Sequence, residues 1–344
     1  MRNKIKKQPV EQILRILPKG IRKAMENANP ESDKLEEIRL RIERPVSILY
    51  EGQRWMLSKE TGLTKESKKA LYVKESDLNE CIEYVCNYSM YAYEEELKHG
   101  FVTIQGGHRI GVAGKIVSEG NKVLYIKNIS FLNIRVAHEV FGCGEKVFPH
   151  LWEKHHFQNT MIVSEPGAGK TTLLRDLIRL LSDGNGAYTE QEVSLVDERS
   201  EVAACYRGVP QNDVGRHTDV MDNCPKAIGM NMMLRSMKPQ VLAVDEIGSQ
   251  SDVEAIKTAL HSGVKILMSA HGEDIERFLS KEYVRELGKE NAFERIILIE
   301  KKREDGDNVT LENNLDDNDV KEGIMLRRYK IYNEKGELLD CLES

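Results

Sequence analysis

The chain has 344 residues, of which 40% are hydrophobic and 31% charged, and its net charge is -6 at pH 7. This length and composition indicate a globular protein of about two domains and exclude an intrinsically disordered chain. The acidic net charge argues against a nucleic-acid partner, since it gives no overall attraction to a polyanion. No stretch predicts a signal peptide or a membrane span, and the six cysteines lack metal-site spacing, so a reducing cytoplasm is the expected compartment.

The first part of the chain, residues 1–145, predicts a small α+β domain. An amphipathic helix from Pro9 to about Asn27 is interrupted at Pro18, and a further helix begins near Ser76. Alternating apolar and charged residues, or apolar runs between glycines, predict the strands. These are Leu35–Val46, Val46–Tyr50, Phe101–Ile104, Gly106–Val117, Val123–Ile126 and Phe131–Val136.

The second part, residues 146–344, alternates apolar β-branched runs with helical segments. This pattern is typical of an α/β domain whose parallel sheet is covered by helices on both faces. The predicted strands are Thr160–Val163, Val193–Val196, Val241–Val244 and Val264–Met268, with possible edge strands at Ile296–Ile299 and Met325–Ile331. A charge-rich stretch at about 302–322 predicts a surface loop.

The turn after Thr160–Val163 carries the strongest motif in the chain. Strand, glycine-rich turn and helix follow one another, as in a phosphate-binding loop (P-loop), and the alternative is a lysine-bearing turn in a helical domain. Backbone N–H groups would surround the phosphates, Lys170 would bind the β- and γ-phosphates, and the Thr171 hydroxyl would bind Mg²⁺. The consensus begins with glycine, and here Ser164 stands in its place. The candidate nucleotide-binding residues are Ser164, Glu165, Pro166, Gly167, Ala168, Gly169, Lys170, Thr171 and Thr172.

Acidic residues follow two of the predicted parallel strands. Asp245 and Glu246 come directly after Val241–Val244, where Asp245 would support the metal and Glu246 would polarise the attacking water. Glu198 and Glu201 follow the preceding strand and are further candidates for the general base. The alternatives for this second group are a helix cap or an ion pair within the turn.

A histidine and several arginines complete the candidate catalytic set. His271 ends another strand, where a neutral imidazole would sense the γ-phosphate or hydrogen-bond the acids, although a structural role is the alternative. An arginine would stabilise charge that develops on the phosphate. The candidates are Arg109, Arg135, Arg207 and Arg235, and the residues themselves do not rank them.

The order of these motifs resembles the secretion-type ATPases of type II and type IV systems, a branch of the RecA-like motor proteins. The matching segments are Ser164–Thr172, Asp197–Glu201, Asp245–Glu246 and Ser269–His271. More closely, the chain resembles the stage III sporulation protein AA family of endospore-forming bacteria over nearly its whole length, apart from the acidic stretch after Lys302. The runs that carry this likeness are Tyr91–Leu97, Gly106–Gly111, Asn128–Ser130, Leu132–Arg135 and Tyr206–Gly215.

The resemblance implies a RecA-like P-loop ATPase that uses ATP and Mg²⁺ and works as a homo-oligomeric ring, a hexamer. It implies a location on the cytoplasmic face of the membrane, at the mother-cell side around the forespore, with the membrane proteins of a sporulation channel as partners. Because nucleotides in such rings lie between the two domains, it favours Arg109 and Arg135 among the arginines. Two alternatives are an ATP-binding assembly scaffold with little turnover and, against the acidic net charge, a nucleic-acid motor.

Overall fold

The computed structural model describes residues 9–120, 122–302 and 326–343, and it divides into two compact units. The first unit runs to Glu139 and also contains Ala204–Asn212, and the second comprises Val140–Ala203 and the chain from Asp213. The boundary predicted between residues 145 and 146 stays a prediction. Apart from residue 302 itself, the predicted acidic loop at 302–322 lies outside the described residues.

One antiparallel sheet and four α-helices make up the described part of the first unit. The helices are α1 (Pro9–Ile16), α2 (Lys19–Ala28), α3 (Glu75–Val85) and α4 (Glu94–Lys98), with short 3₁₀ turns at Ser67–Lys69 and Met90–Tyr93. The strands are β1 (Leu35–Arg41), β2 (Ser47–Tyr50), β3 (Gln53–Ser58), β4 (Gly62–Thr64), β5 (Phe101–Thr103), β6 (Arg109–Glu119) and β7 (Lys122–Arg135). Their order is β4-β3-β2-β1-β7-β6-β5.

Strand β7 runs through the break that was predicted between Ile126 and Phe131. The ladder with β6 is irregular there, and Asn128 has a φ of 49°, so the extra residues are absorbed as a bulge. Gly114 makes room for this bulge, because a Cβ on Gly114 would lie 2.8 Å from the Asn128 carbonyl oxygen. The two predicted strands are therefore one long strand.

The segment Ala204–Asn212 packs with residues of the first unit that are about a hundred positions away in the chain. The Gln211 side chain accepts a hydrogen bond from the Gly106 N–H at 2.8 Å. Asn87 Nδ2 donates to the Tyr206 hydroxyl at 3.3 Å. The chain thus leaves the second unit after Ala203, contributes to the first, and returns at Asp213.

The described part of the second unit is built on an eight-stranded sheet. Its helices are α5 (Lys170–Asp183), α6 (Lys226–Ser236), α7 (Gln250–His261), α8 (Ile275–Ser280) and α9 (Glu282–Lys289), with a 3₁₀ turn at Phe148–Leu151. A separate two-stranded ribbon consists of β8 (Trp152–Glu153) and β9 (His156–Phe157). The strands of the large sheet are β10 (Thr160–Ser164), β11 (Val193–Asp197), β12 (Thr218–Asp222), β13 (Val241–Val244), β14 (Lys265–His271), β15 (Arg295–Lys302), β16 (Leu326–Asn333) and β17 (Leu338–Glu343).

The order of this sheet is β12-β11-β13-β14-β10-β15-β16-β17, and all pairs from β12 to β15 are parallel. Helices α6–α9 share one buried cluster with alternate residues of the central strands, whereas α5 contacts β10, β11 and β14 with leucines outside that cluster. Helices therefore cover both faces, as predicted. The carboxyl ends of β10, β11, β13 and β14 meet at one edge, which is where ligands bind in open parallel sheets.

Within residues 9–120, 122–302 and 326–343, no helix is both long enough and apolar enough to cross a membrane.

Candidate nucleotide-binding site

The loop between β10 and α5 has the backbone that a phosphate-binding turn needs. Gly167 and Gly169 have φ values of 70° and 98°, which residues with a side chain rarely adopt. Gly169 directly precedes α5. The N–H groups of the first turn of α5, which have no carbonyl partner within the helix, therefore point toward the space that this loop surrounds. Ser164, at the position where the consensus has glycine, is buried, and its hydroxyl donates to the Glu165 carbonyl at 2.9 Å. The loop thus forms without the first glycine.

Lys170 is the buried cation of this loop, with only 5% of its surface exposed. Its Nζ lies 3.4 Å from Glu246 Oε1 and 3.5 Å from His271 Nδ1. Burial lowers the pKa of Lys170, while the charges of Asp245 and Glu246 oppose the change. A desolvated ammonium beside helix N–H groups fits the terminal phosphates of a nucleotide.

Thr171 and Asp245 place a hydroxyl oxygen and a carboxylate oxygen side by side at the same loop. The Thr171 hydroxyl lies 3.4 Å from Asp245 Oδ2, and Ser269 donates to Asp245 Oδ1 at 2.5 Å. Burial raises the pKa of Asp245, and the Ser269 hydrogen bond and Lys170 oppose the rise. Such hard oxygens fit Mg²⁺, although the described residues contain no group of three or more His, Cys, Asp or Glu that would bind a metal alone. Phosphate oxygens would have to complete the coordination.

Glu246 lies at the centre of the polar groups at this edge. It has a φ of 52°, and its backbone N–H donates to the Ser269 hydroxyl at 2.9 Å. Its carboxylate is 2.8 Å from Arg199 and 2.8 Å from His271, besides the contact with Lys170. Burial opposes ionisation, but the positive charges of Lys170 and Arg199 hold the pKa of Glu246 below its ordinary value. Glu246 is therefore a carboxylate at neutral pH.

His271 bridges Lys170 and Glu246, and these partners define its tautomer. An ammonium only donates hydrogen bonds, so Nδ1, which is 3.5 Å from Lys170, has to accept. Nε2 then carries the proton and donates to Glu246 at 2.8 Å. His271 lies opposite Ser164 in the β10–β14 ladder, which explains why the histidine lies at the phosphate loop.

In the acidic turn after β11, one aspartate side chain accepts hydrogen bonds from backbone N–H groups of the same turn. Asp197, which is 1% exposed, accepts hydrogen bonds from the N–H groups of Glu201, Val202 and Ala203 at 2.8–3.0 Å. Burial raises the pKa of Asp197 to about 6, the backbone hydrogen bonds oppose the rise, and the charge of Asp245 adds to it. This carboxyl therefore shapes the turn.

The two glutamates predicted from this turn have different surroundings. Glu198 forms an ion pair with Lys226 and lines a cleft of about 510 Å³, which Glu246 also lines. Glu201 is near enough to Asp245 to raise the pKa of that residue. Glu246, by comparison, forms an ion pair with Lys170 at 3.4 Å.

Replacing Asp197 by alanine is expected to destabilise the second unit. Two buried N–H groups, of Val202 and Ala203, and the partly buried N–H of Glu201 would lose their acceptor, which costs about 2 kcal/mol or more at neutral pH. Urea unfolding followed by the fluorescence of Trp152 in a Trp55→Phe background measures this, since the chain has only two tryptophans. Asp219→Ala, at an exposed aspartate on β12, is the matched control and should leave the midpoint unchanged. An unchanged midpoint in Asp197→Ala would show that the turn does not depend on this carboxylate.

The stability contribution of Asp197 should also depend on pH. Its pKa rises from 3.8 to about 6 on folding, so between these values the folded protein binds the proton more tightly than the unfolded chain. Stability from this group therefore falls as pH rises through that window. The cost of Asp197→Ala should be about 2 kcal/mol larger at about pH 4.5 than at about pH 7. The same urea experiment at both pH values checks this, and an equal cost would contradict it.

Three of the four predicted arginines belong to the first unit, and the fourth belongs to the second. Arg109 and Arg135 are opposite each other on β6 and β7 in the first unit, where Arg109 lies over the Phe101 ring. Arg207 belongs to the first unit too, and Arg235 is exposed in the last turn of α6. A role for any of them at the phosphates stays a prediction.

The structure adds three residues to the site that were not among the candidates. Arg199 contacts Glu246, Ser269 hydrogen-bonds both Glu246 and Asp245, and Arg327 lies against Gly169. Ser269 could have been selected, because it shares the end of β14 with His271. Arg327 has no local signal, since it lies far along the chain on β16, between β15 and β17.

Comparison with solved structures identifies the fold as that of the RecA-like P-loop ATPases, which confirms the predicted fold class. The pilus retraction motor PilT, solved with bound ADP, matches with a TM-score of 0.58 at 14% identity over 92% of this chain and 82% of its own. The ATPase DotB of Legionella pneumophila matches with a TM-score of 0.53 at 14% identity over 91% and 80%.

Sequence comparison gives the family. The profile described as "Sporulation stage III, protein AA" matches residues 6–316. Stage III sporulation protein AA of Bacillus subtilis (strain 168) is 40% identical over 299 residues, which are 86% of this chain and 93% of that protein. The chain belongs to the sporulation stage III protein AA family, as its sequence motifs predict.

Proposed function

We propose that this protein is a Mg²⁺-dependent ATPase that drives a sporulation channel between mother cell and forespore. The observation that carries the proposal is the meeting of Lys170, Thr171, Asp245 and Glu246 at one edge of a parallel sheet, with separations of 3.4 Å for Lys170–Glu246 and Thr171–Asp245. A phosphate loop, a metal-binding pair and a carboxylate near the terminal phosphate are the parts that phosphoanhydride hydrolysis requires.

Hydrolysis converts ATP and water to ADP and inorganic phosphate. Loop N–H groups and Lys170 bind the phosphates, and Thr171 and Asp245 would hold Mg²⁺, which neutralises charge on the phosphate oxygens. The Glu246 carboxylate accepts a proton from the attacking water, while His271 and Arg199 orient that carboxylate. When phosphates arrive, Lys170 exchanges its contact with Glu246 for a contact with them, which frees Glu246 for water.

The assembly part of the proposal rests on the family and the fold. The protein would act as a homo-oligomeric ring, a hexamer, on the cytoplasmic face of the membrane at the mother-cell side around the forespore. Its partners would be the membrane proteins of the channel, and no nucleic acid is expected. Arg109 and Arg135 of the first unit would contribute positive charge at the phosphates within such a ring.

A second function, an ATP-binding assembly scaffold with little turnover, has one observation in its favour. The Glu246 carboxylate already contacts three side chains, those of Lys170, Arg199 and His271. A carboxylate that stays paired in this way is a weak proton acceptor. The scaffold would bind ATP without completing hydrolysis.

Phosphate release from the purified full-length protein tests the proposal. We expect hydrolysis of ATP with Mg²⁺, its loss on addition of EDTA, and its recovery with excess Mg²⁺. Light scattering after size-exclusion chromatography, with and without ATP, measures the assembly. ATP binding without phosphate release, with the membrane partners present, would favour the scaffold, and release unaffected by EDTA would contradict the metal requirement.

A further inference from the structure

Arg327, near the start of β16, lies directly against the phosphate loop. A Cβ atom added to Gly169 would be 2.8 Å from Arg327 Cζ and 3.1 Å from both Nε and Nη1. The guanidinium therefore fills the space beside the Gly169 α-carbon. Only a residue without a side chain at position 169 permits this close approach.

A neighbouring tyrosine helps to fix the guanidinium at this position. Tyr329, two residues further along β16, is 1% exposed. Burial raises the pKa of Tyr329, and the charge of Arg327 together with its hydrogen bond to the phenol oxygen opposes the rise. Arg327 is thus held between a buried side chain of its own strand and the loop.

The electrostatics of this position call for an anion. Gly169 precedes the first turn of α5, which is the positive end of the helix dipole, and Lys170 already places one cation there. The charge of Lys170 is offset by its ion pair with Glu246. A second cation next to a positive helix end is favourable when a phosphate binds between them.

The sheet order indicates which phosphate this would be. Asp245, Glu246 and His271 follow β13 and β14, on one side of β10, whereas β15 and β16 lie on the other side. A nucleoside triphosphate whose γ-phosphate faces Glu246 therefore extends toward β15 and β16. Arg327 lies on that side, away from the hydrolysed bond.

From this placement we infer that Arg327 binds the α-phosphate of the bound nucleotide. The inference rests on the proposed function for the identity of the ligand. The contact is made equally with ATP and ADP, because both carry the α-phosphate. It contributes to binding in the ground state and in the transition state alike, so it affects affinity more than turnover.

Titration calorimetry of the full-length protein with ADP, and separately with ATP, tests this inference. Arg327→Ala should weaken both ligands by about tenfold, the loss of one charge-assisted phosphate contact. Arg327→Lys should recover part of the affinity, and KM for ATP should rise far more than kcat falls. The control is Arg328→Ala, since the adjacent Arg328 is ion-paired with Glu343 at 2.7 Å and alternates to the other face of β16.

A purely structural role would give a different result. It would lower the unfolding midpoint of the ligand-free protein and leave the ADP affinity of the folded fraction unchanged. Arg327→Gln removes the charge but retains a donor for Tyr329, so it keeps the comparison possible if the alanine variant does not fold. ADP affinity within about twofold of wild type in Arg327→Gln, or a loss confined to ATP, would overturn the inference.

The ADP measurement separates this inference from the proposed function. If the wild-type protein binds ADP but does not hydrolyse ATP, the ATPase proposal fails while the comparison of Arg327 variants still decides the role of Arg327. If the wild type binds neither nucleotide, both fail together.

Discussion

Lys170→Ala is expected to weaken nucleotide binding by about 100-fold or more, which corresponds to about 3 kcal/mol. Two effects add up. The phosphates lose a charge-assisted contact with a buried ammonium, and Asp245 and Glu246 lose the cation that offsets their charge. The remaining carboxylates then repel the triphosphate.

The fold should survive this substitution. Burial already disfavours the charged form of Lys170, so its removal does not take away a large stabilising contribution. Glu246 keeps Arg199 and His271 as partners at 2.8 Å each. We therefore expect an unfolding midpoint close to that of wild type in the absence of nucleotide.

Fluorescent-nucleotide titration measures the loss, and two variants make it specific. Lys170→Met removes the charge but keeps most of the side-chain volume, so it should behave like the alanine variant. Lys289→Ala removes an exposed lysine of α9 and should bind like wild type. Affinity within about threefold of wild type in Lys170→Met would show that the nucleotide is not bound at this loop.

The sequence predicts those parts of the site that local pattern controls. The strand–glycine–helix order fixes the phosphate loop, and parallel strands bring Asp245, Glu246 and His271 to one edge because their carboxyl ends coincide. The parallel pairing of Ser164 with His271 is an example of this register. These positions follow from periodicity and chain direction alone.

The remaining features depend on contacts between distant residues. Asp197 and Glu198 come after the same strand, yet Asp197 binds its own turn and Glu198 is paired with Lys226 from α6. The sequence shows that both residues are acidic, but it does not show the side-chain contacts that give them different roles. The position of Arg327 requires the antiparallel addition of β16 to the sheet, which has no signature in the phosphate loop.

Glu246→Gln is expected to retain ATP binding and to lower kcat by at least about 100-fold, the loss expected for a general base. The amide has nearly the same shape but cannot accept a proton from water. Removing one negative charge beside the phosphates should leave affinity unchanged or slightly increased. Single-turnover phosphate release, measured beside nucleotide binding on the same samples, separates the two effects.

Matched variants assign the base among the neighbouring acids. Glu198→Gln should lower turnover less, because Glu198 is paired with Lys226, and Glu254→Gln, at an exposed residue of α7, should have no effect. The competing candidate is Glu201, whose charge reaches Asp245. If Glu201→Gln abolished turnover while Glu246→Gln retained it, then Glu246 would only pair with Lys170 in the nucleotide-free protein. The water would in that case be activated from the acidic turn, whose backbone Asp197 holds in place.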